Sequence, residues 1–389
     1  MALAPPLPKA PTDPALPALQ QPDWPDAGHL DQVLDELAAA PGPVDAAGCR
    51  DLRIAIARAA AGEGFVVVGG DCAERLDDTG PDRIRAKAAH LHQTADTIAA
   101  SGRPVTRIAR FGGQFAKPRS RDHEELADGR VIPSYRGDAV NGMGRDDRRP
   151  DAARLLAAHE ATCRAVETLD QEERYGAPRT FLSHEALLLD YEWALTRGHH
   201  ASSAHYLWIG DRTRRLDHAH VAFAAAIANP VGVKLGPAAG RHDVQALAEA
   251  LDPAAHHIPG RLSFIARMGA ERCATHLPEV VDALGTRAAG VAWIVDPMHG
   301  NGRTNLHGQK TRLMADIRAE IEAFFTVLRG HGLTPAGIHL EMTPDAVTEC
   351  VAGPHDLGRW LPDYRSACDP RLNAEQSAEI AALVQELLR

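Results

Sequence analysis

Four residues that lie far apart in the sequence carry side chains able to bind a divalent metal ion. They are Cys72, His299, Glu341 and Asp369, which supply a thiolate, an imidazole and two carboxylates. This mixed set suits Mn²⁺ or Co²⁺, and also Fe²⁺ or Zn²⁺, whereas Ca²⁺ and Mg²⁺ prefer oxygen ligands alone. Because no short spacing motif joins the four residues, a metal site requires a fold that gathers them.

Six basic residues form a second group, and each lies at or just after the end of a short apolar run. They are Arg110, Lys117, Arg119, Arg212, Lys234 and Arg267. Arginine binds carboxylate and phosphate through paired hydrogen bonds, and lysine adds a compact charge. Ser120, directly after the Lys117-Pro118-Arg119 segment, adds a hydroxyl donor. Since few acidic residues flank these cations in the sequence, we expect the six to bind two phosphorylated or carboxylated substrates.

Lysine is rare in this chain, with five lysines beside 37 arginines. In such a background a retained lysine indicates a position where a compact point charge is needed. The six cysteines are scattered and include no C-x-x-C pair, which is typical of a reducing compartment. Cys368 precedes Asp369 and would approach Cys72 if both flank one metal, so the two thiols are either a redox-sensitive pair or inert.

Eight short β-rich runs alternate with longer helical stretches, which is the pattern of βαβ units. The runs are 64–72, 105–113, 180–188, 205–212, 231–237, 261–269, 290–300 and 337–343. Eight parallel strands predict an α/β fold of the closed (β/α)₈ TIM barrel type, whose chemistry lies at the carboxyl ends of the strands. An open doubly wound sheet is the alternative, but no G-x-G-x-x-G motif opens the first unit.

The domain organisation predicted from these patterns has two parts. Residues 1–45 form a proline-rich N-terminal arm with one short helix, in which Leu30, Val33, Leu34 and Leu37 fall at helical spacing. Residues 46–389 form the catalytic barrel, with a long insertion at 114–179 after the second strand. Connections of this length inside a compact domain are usually functional.

Composition excludes several classes of protein. A net charge of −10 and a pI near 6.0 argue against a general nucleic-acid partner, which needs a basic surface. No apolar run approaches eighteen residues, so we expect no membrane span. The N-terminus lacks a continuous hydrophobic segment and is not a secretory signal. We therefore expect a cytoplasmic protein.

The chemical residues lie in segments that resemble the type II 3-deoxy-D-arabino-heptulosonate 7-phosphate (DAHP) synthases. The matching segments are GGDCAE (69–74), RFGGQFAKPRS (110–120), PSYRGD (133–138), SHEALLLDYE (183–192), SAHYLWIGDRTR (203–214), IANPVGVKLGP (227–237), RMG (267–269), DPMHGN (296–301), HLEMTPDAVTEC (339–350) and CDPRLN (368–373). The resemblance covers about 300 residues in order. It implies a (β/α)₈ barrel that condenses phosphoenolpyruvate with erythrose 4-phosphate, the first step of the shikimate pathway and of aromatic amino acid biosynthesis.

The resemblance also implies a role for each residue. Its metal ligands match Cys72, His299, Glu341 and Asp369. Its phosphoenolpyruvate-binding groups match Arg110, Lys117, Arg212, Lys234 and Arg267, and its aldose-phosphate site matches Arg119 and Ser120. Glu185 and Asp211 end two of the runs and are predicted to face the substrates. As catalytic residues we expect Lys117 and His299, which would deliver protons near the new alkoxide, and Arg110, which would hold substrate in attack geometry.

Two departures from the family pattern carry expectations of their own. Asp211 stands where the family commonly has glutamate, so a contact through that carboxylate shifts. The connection after Ser120 is shorter than in the longest members, whose extra helices help build inhibitor sites. We therefore expect weak or absent feedback inhibition and a role in secondary metabolism, such as a phenazine-type pathway.

Three further questions are left open by the sequence. An amino-DAHP synthase acting on an amino or imino sugar phosphate is the alternative function, while a non-catalytic homologue is disfavoured because every metal ligand is present. Exposed barrel faces and the arm predict a homodimer or a larger homo-oligomer. A chorismate mutase partner is known for some members of the family, but nothing in this sequence supports one.

Overall fold

Eight parallel strands close into a barrel in the computed structural model, which describes residues 16–126 and 128–389. The strands are β1 (Phe65–Gly70), β2 (Val105–Ala109), β3 (Thr180–Glu185), β4 (Tyr206–Ile209), β5 (Val231–Leu235), β6 (Leu262–Ala266), β7 (Ala292–Val295) and β8 (Pro335–Glu341). Each strand pairs with its neighbours in chain order, and β8 pairs with β1 to close the ring. The predicted (β/α)₈ TIM barrel is confirmed: seven strands lie within their predicted runs, and β8 begins two residues before the run 337–343.

Helices follow every strand, and two more precede the barrel. They are α1 (Ala27–Ala39), α2 (Ala46–Ala60), α3 (Pro81–Ala99), α4 (Ala153–Arg174), α5 (Leu189–Ala194), α6 (Ala219–Ala226), α7 (Arg241–Leu251), α8 (Ala270–Leu284), α9 (Met314–Gly330) and α10 (Ala374–Leu388). Short 3₁₀ turns occur at Leu76–Asp78, Ala254–His256, Gly285–Gly290 and Pro354–Gly358. Two-stranded hairpins pair His123–Glu125 with Val131–Pro133, Thr196–Arg197 with His200–Ala201, and Arg303–Thr304 with Lys310–Thr311.

Alternation along the strands divides the core into two layers. On β1, Phe65 and Val67 pack outward among the helices, whereas Val66 and Val68 face the barrel interior. The amino-terminal end of the interior is closed by α2, whose Leu52 and Ile56 pack on these inner residues. Because that end is filled with apolar side chains, the opposite end is left for polar groups.

The carboxyl end of β1 requires a glycine. Gly70 has a φ of +147°, and a Cβ there would lie 3.0 Å from the carbonyl carbon of Arg110. Only glycine allows the two strand ends to approach this closely. The turn at Gly70 therefore brings Cys72 alongside Arg110 at the mouth of the barrel.

The segments outside the regular barrel lie against its helices. α1 packs on α4 and α5 and buries Val33 and Leu37, and the side chain of Asp26 accepts a hydrogen bond from the amide of His29 at its start. Residues 1–15 of the predicted arm lie outside the described residues. Within 16–126 and 128–389, no helix is long and apolar enough to cross a membrane.

Candidate active site

The four predicted metal ligands converge at the carboxyl end of the barrel. Cys72 follows β1, Glu341 is the last residue of β8, and Asp369 lies in the loop before α10. Ligand atoms of these three residues all lie within 4.8 Å of one another. His299, after β7, places its Nε2 2.9 Å from Oε1 of Glu341. Because β8 pairs with β1, closure of the barrel brings Cys72, after the first strand, next to Glu341, at the end of the last strand.

The ammonium group of Lys117 lies among these ligands. Its Nζ is 2.8 Å from Sγ of Cys72, 2.9 Å from Oδ2 of Asp369 and 3.6 Å from Oε1 of Glu341. Burial opposes the charged form of Lys117, yet Asp369 and the other acidic neighbours hold its pKa well above the ordinary value. A cation is therefore stable at this position. The thiol of Cys72 and the carboxylates of Asp369 and Glu341 surround this position, and the imidazole of His299 contacts Glu341. This donor set fits a divalent metal of intermediate softness.

Glu341 is the most heavily contacted member of the group. Burial alone would raise the pKa of its carboxyl group, but His299, Arg312 and Lys117 outweigh burial and hold that pKa well below the usual range. Nη2 of Arg312 lies 2.7 Å from Oε2 of Glu341. The carboxylate is therefore charged and fixed in direction, as a metal ligand must be.

Beneath the cleft, Arg110 is supported by a buried aromatic floor. Its Nη2 donates to Oε1 of Glu341 at 3.1 Å, and its Nη1 lies 2.5 Å from Nε2 of His339. Burial, together with the charges of Lys234 and Arg110, lowers the pKa of His339 well below its ordinary value. The imidazole is therefore neutral and accepts the arginine hydrogen bond. The ring of Trp208 lies 5.3 Å from the guanidinium carbon of Arg110 and 5.5 Å from Nζ of Lys234.

Asp296 orients two predicted site residues. Its Oδ2 lies 2.8 Å from Nζ of Lys234 and 2.8 Å from Nδ1 of His299. The carboxylate therefore fixes the ring of His299 with Nε2 toward Glu341, and it pairs with Lys234, whose pKa burial lowers. Nζ of Lys234 lies 3.3 Å from Nδ1 of His299.

The remaining predicted residues line the rim of the same cleft. Nη1 of Arg267 lies 3.0 Å from Oδ2 of Asp211. Nη2 of Arg212 donates to Oγ of Ser120 at 2.8 Å, which joins the loops after β4 and β2. Arg119 pairs with Glu124 of the 123–133 hairpin at 2.9 Å. Glu185, at the end of β3, donates its amide to Gln114, and its buried Oε1 has no partner among the described residues.

The expectation that the six cations lack acidic partners is wrong. All of them except Arg212 pair with a carboxylate in the described part of the chain, because closure of the barrel brings Asp296 and Glu341 to the ends of distant strands. The cleft of about 600 Å³ is nevertheless lined by eight lysine and arginine side chains and five acidic ones. In a protein of net charge −10, this local excess favours an anionic ligand.

Comparison with known proteins identifies the family. The class-II DAHP synthetase family matches residues 12–177 and 164–385. The chain belongs to this family. It is 39% identical to the phospho-2-dehydro-3-deoxyheptonate aldolase of Streptomyces coelicolor, covering 96% of each chain. It is 40% identical to a probable phospho-2-dehydro-3-deoxyheptonate aldolase of Pseudomonas fluorescens, covering 92% of each, and 37% identical to the AroG enzyme of that name from Mycolicibacterium smegmatis, covering 96% and 93%.

A solved structure shares the barrel. The phospho-2-dehydro-3-deoxyheptonate aldolase from Francisella tularensis SCHU S4 superimposes with a TM-score of 0.59 at 15% identity, covering 92% of this chain and 96% of that one. The resemblance to the type II DAHP synthases is thus confirmed at the level of the family, and the fold is shared even where little sequence identity remains.

Several residues of this family member's site were not identified from the sequence. Asp296, Arg312 and His339 all contact a predicted site residue. The sequence held a signal for two of them. His339 precedes Glu341 by two residues on one strand, so both face the same side, and Asp296 directly follows β7, three residues before His299. Arg312 lies beyond a hairpin, where no periodic pattern places it.

Cys72 and Cys368 lie in one buried cluster with Tyr135. Both are free thiols. Nη1 of Arg119 lies 3.7 Å from Sγ of Cys368. Their behaviour as a redox pair stays a prediction.

Proposed function

We propose that the protein is a metal-dependent DAHP synthase, which condenses phosphoenolpyruvate with D-erythrose 4-phosphate to give DAHP and inorganic phosphate. One observation carries the proposal: a cation position enclosed by Cys72, Asp369 and Glu341 lies at the floor of a cleft with an excess of basic side chains. The names of the curated relatives support the same reaction.

Separate groups of side chains would bind the two anionic substrates and the metal. Arg110, Lys117, Arg212, Lys234 and Arg267 would bind the phosphate and carboxylate of phosphoenolpyruvate. Arg119 and Ser120 would bind the phosphate of the aldose. A divalent ion, Mn²⁺ or Co²⁺, held by Cys72, His299, Glu341 and Asp369 would supply Lewis-acid polarisation of the aldehyde oxygen.

The condensation involves three changes of bonding. C3 of the enol phosphate attacks the aldehyde carbon, water adds at C2, and cleavage of the C–O bond releases phosphate. Lys117 carries a proton beside the predicted metal ligands and would deliver it to the new alkoxide. Asp296 holds Nδ1 of His299, which leaves Nε2, on the side of Glu341, to bind the metal, so His299 would deliver a proton only when it is not bound to the metal. Arg110, fixed by Glu341 and His339, keeps the enol phosphate in line with the aldehyde.

The experiment measures consumption of phosphoenolpyruvate and release of phosphate with erythrose 4-phosphate. Protein stripped with EDTA is expected to be inactive and to recover turnover with Mn²⁺ or Co²⁺. Cys72→Ala is expected to lose this recovery, while Cys163→Ala, which removes a half-buried thiol of α4, retains it. Turnover only with an amino or imino sugar phosphate would replace erythrose 4-phosphate with that acceptor, and turnover without metal would overturn the metal assignment.

The place of the enzyme in metabolism is part of the proposal. Among the described residues between Ser120 and Pro150, the connection forms a single hairpin and no helix. The absence of additional helices there supports weak or absent inhibition by aromatic amino acids, and hence a supply of precursor for secondary metabolism. Inhibition by micromolar phenylalanine, tyrosine or tryptophan would contradict this part.

A further inference from the structure

The extended segment before α1 contacts the loops that follow three successive barrel strands. The carbonyl oxygen of Pro17 accepts from the amide of Ala219 at 3.0 Å, at the start of α6. Two adjacent glutamines, Gln20 and Gln21, contact the loops after β2 and β3. The segment therefore joins parts of the mouth that are far apart in sequence.

Gln20 holds the backbone of the segment that contains Lys117, Pro118 and Arg119. The amide of Lys117 donates to the carbonyl oxygen of Arg136 at 2.8 Å, and Pro118 has no amide hydrogen. The amide of Arg119 donates to Oε1 of Gln20 at 2.7 Å. The amides of Lys117 and Arg119 are thus both hydrogen-bonded, the first to Arg136 and the second to Gln20.

The backbone of Gln20 is strained. Its φ is +64°, and among the residues described it is the one non-glycine residue with a positive φ. Such a conformation persists only where surrounding contacts enforce it, and it is concentrated at functional sites. Nη1 of Arg136 donates to the carbonyl oxygen of Gln20 at 3.4 Å, so Gln20 is held through its backbone as well as its side chain.

Gln21 supplies the anchor that enforces this conformation. Its Nε2 donates to the carbonyl oxygen of Leu187 at 2.7 Å, and its Oε1 accepts from the amide of Leu189 at 3.1 Å. These two contacts lie in the turn that follows Glu185 at the end of β3. With Gln21 fixed on one loop, the side chain of Gln20 reaches the neighbouring loop.

We propose that Gln20 is a positioning residue for the aldose-phosphate site, which acts by holding the backbone at Arg119. A fixed backbone there directs the guanidinium of Arg119 and the hydroxyl of Ser120 toward one phosphate group. The inference rests on the proposed function, because it deepens the role of that site. It assigns a task in substrate binding to residues that precede the barrel.

The decisive variant is Gln20→Gly. Glycine removes the side-chain acceptor and also relieves the positive φ, so stability is expected to be unchanged or higher. The KM for erythrose 4-phosphate is expected to rise about three- to tenfold, as for loss of one hydrogen bond, while the KM for phosphoenolpyruvate stays at the parent value. Gln20→Ala is expected to show the same change in KM with lower thermal stability.

Gln245→Ala is the matched control, because Gln245 makes one contact of the same type, from Nε2 to the carbonyl oxygen of Ala283 at 2.7 Å, between helices remote from the cleft. It is expected to leave both KM values unchanged. Hydrogen exchange of the peptide that carries Arg119 is read in the same proteins and is expected to be faster in both Gln20 variants.

Two outcomes separate this inference from the proposed function. A parent protein that does not convert the two substrates overturns the proposed function, whatever the variants do. An active parent with an unchanged KM for erythrose 4-phosphate in Gln20→Gly, or with an equal rise in both KM values, overturns the positioning role. Unchanged exchange at Arg119 in both variants contradicts the hydrogen bond on which the role depends.

Discussion

Nζ of Lys117 lies 2.8 Å from Sγ of Cys72, although one residue is assigned to anion binding and the other to metal binding. The ammonium group supplies positive charge next to buried acidic groups that are predicted to bind a metal, and buried charges of one sign need such a partner. Burial and the neighbouring acids, Glu341 among them, raise the pKa of Cys72 well above its ordinary value, and the ammonium group opposes that rise. A metal would therefore bind side chains that Lys117 also contacts, namely Cys72, Glu341 and Asp369.

A cobalt titration tests this assignment directly. Co²⁺ added to EDTA-stripped protein is expected to produce a thiolate-to-cobalt charge-transfer band in the near ultraviolet, because Cys72 supplies the thiolate. Cys72→Ala is expected to lack the band, and Cys163→Ala to retain it at the parent intensity. A band that persists in Cys72→Ala would assign the sulfur ligand to another cysteine, with Cys368 the first to examine.

Arg212→Ala tests the anion site without disturbing the fold. Arg212 is exposed, and among the described residues its side chain hydrogen-bonds to Ser120 alone. Removal of one charge-assisted contact is expected to raise the KM for phosphoenolpyruvate about 10- to 100-fold with an unchanged melting temperature. Arg215→Ala, which removes an exposed arginine paired with Asp217, is the control and should leave KM unchanged. Equal KM values for the two variants would remove Arg212 from the site.

The barrel could be predicted because most of its strand residues are buried, so that most strands form short apolar runs with a polar or reactive side chain at or just after the carboxyl end. The run 231–237 and the strand Val231–Leu235 illustrate this, since Lys234 interrupts an otherwise apolar strand at its carboxyl end. Residues that bind metal or anions at such ends are recognisable by type. The same reasoning could not place the 123–133 hairpin, whose strands are short and largely exposed.

The ion pairs of the site depend on which strands become neighbours. Glu341 and Arg110 are 231 residues apart, and only closure of β8 onto β1 brings them together. Similarly, the role of Gln20 depends on a backbone conformation that no periodic pattern predicts. Sequence reasoning therefore identified groups that could bind ligands, and it missed most of the groups that hold them in place.

Lys87 accounts for one of the rare lysines, and its removal should destabilise the fold. It is buried, and its Nζ lies 2.8 Å from Asp71, 3.1 Å from Glu74 and 3.0 Å from Asp78. Although burial opposes the charge, these acids raise the pKa of Lys87 above its ordinary value. Lys87→Met removes the cation shared by the buried carboxylates of Asp71 and Glu74, so the free energy of unfolding is expected to fall by about 3–5 kcal/mol in urea titrations.

Lys310→Met is the control for Lys87→Met, because Lys310 is half exposed and pairs with Asp369 at 2.8 Å. Loss of this ion pair is expected to lower the free energy of unfolding by less than about 1 kcal/mol. A decrease of that small size in Lys87→Met would mean that the remaining partners, Arg371 for Asp71 and the amides of Gly112 and Gly113 for Glu74, stabilise the two buried carboxylates without Lys87.

His205 gives the protein a stability that depends on pH. Burial, with the charge of Arg179 as a smaller cause, lowers the pKa of His205 to about 3, and its Nδ1 accepts from the amide of Leu182 at 3.0 Å. Below pH 6.5 the unfolded chain binds a proton that the folded chain excludes, so this stability is complete above pH 6.5 and is lost as the pH falls toward 3. Between pH 7.5 and pH 5 the loss from His205 is expected to be about 2 kcal/mol.

The variant that isolates this effect is His205→Asn, in which an amide oxygen can replace Nδ1 as the acceptor. At pH 7.5 it should be less stable than the parent, because the edge contact between His205 and Phe181, with ring centroids 5.2 Å apart, is lost. Its free energy of unfolding, measured in urea at both pH values, should change by about 2 kcal/mol less than that of the parent. His242→Asn replaces an exposed histidine of α7 and should keep the parent's full pH dependence. If His205→Asn also keeps it, His205 is not the group that titrates.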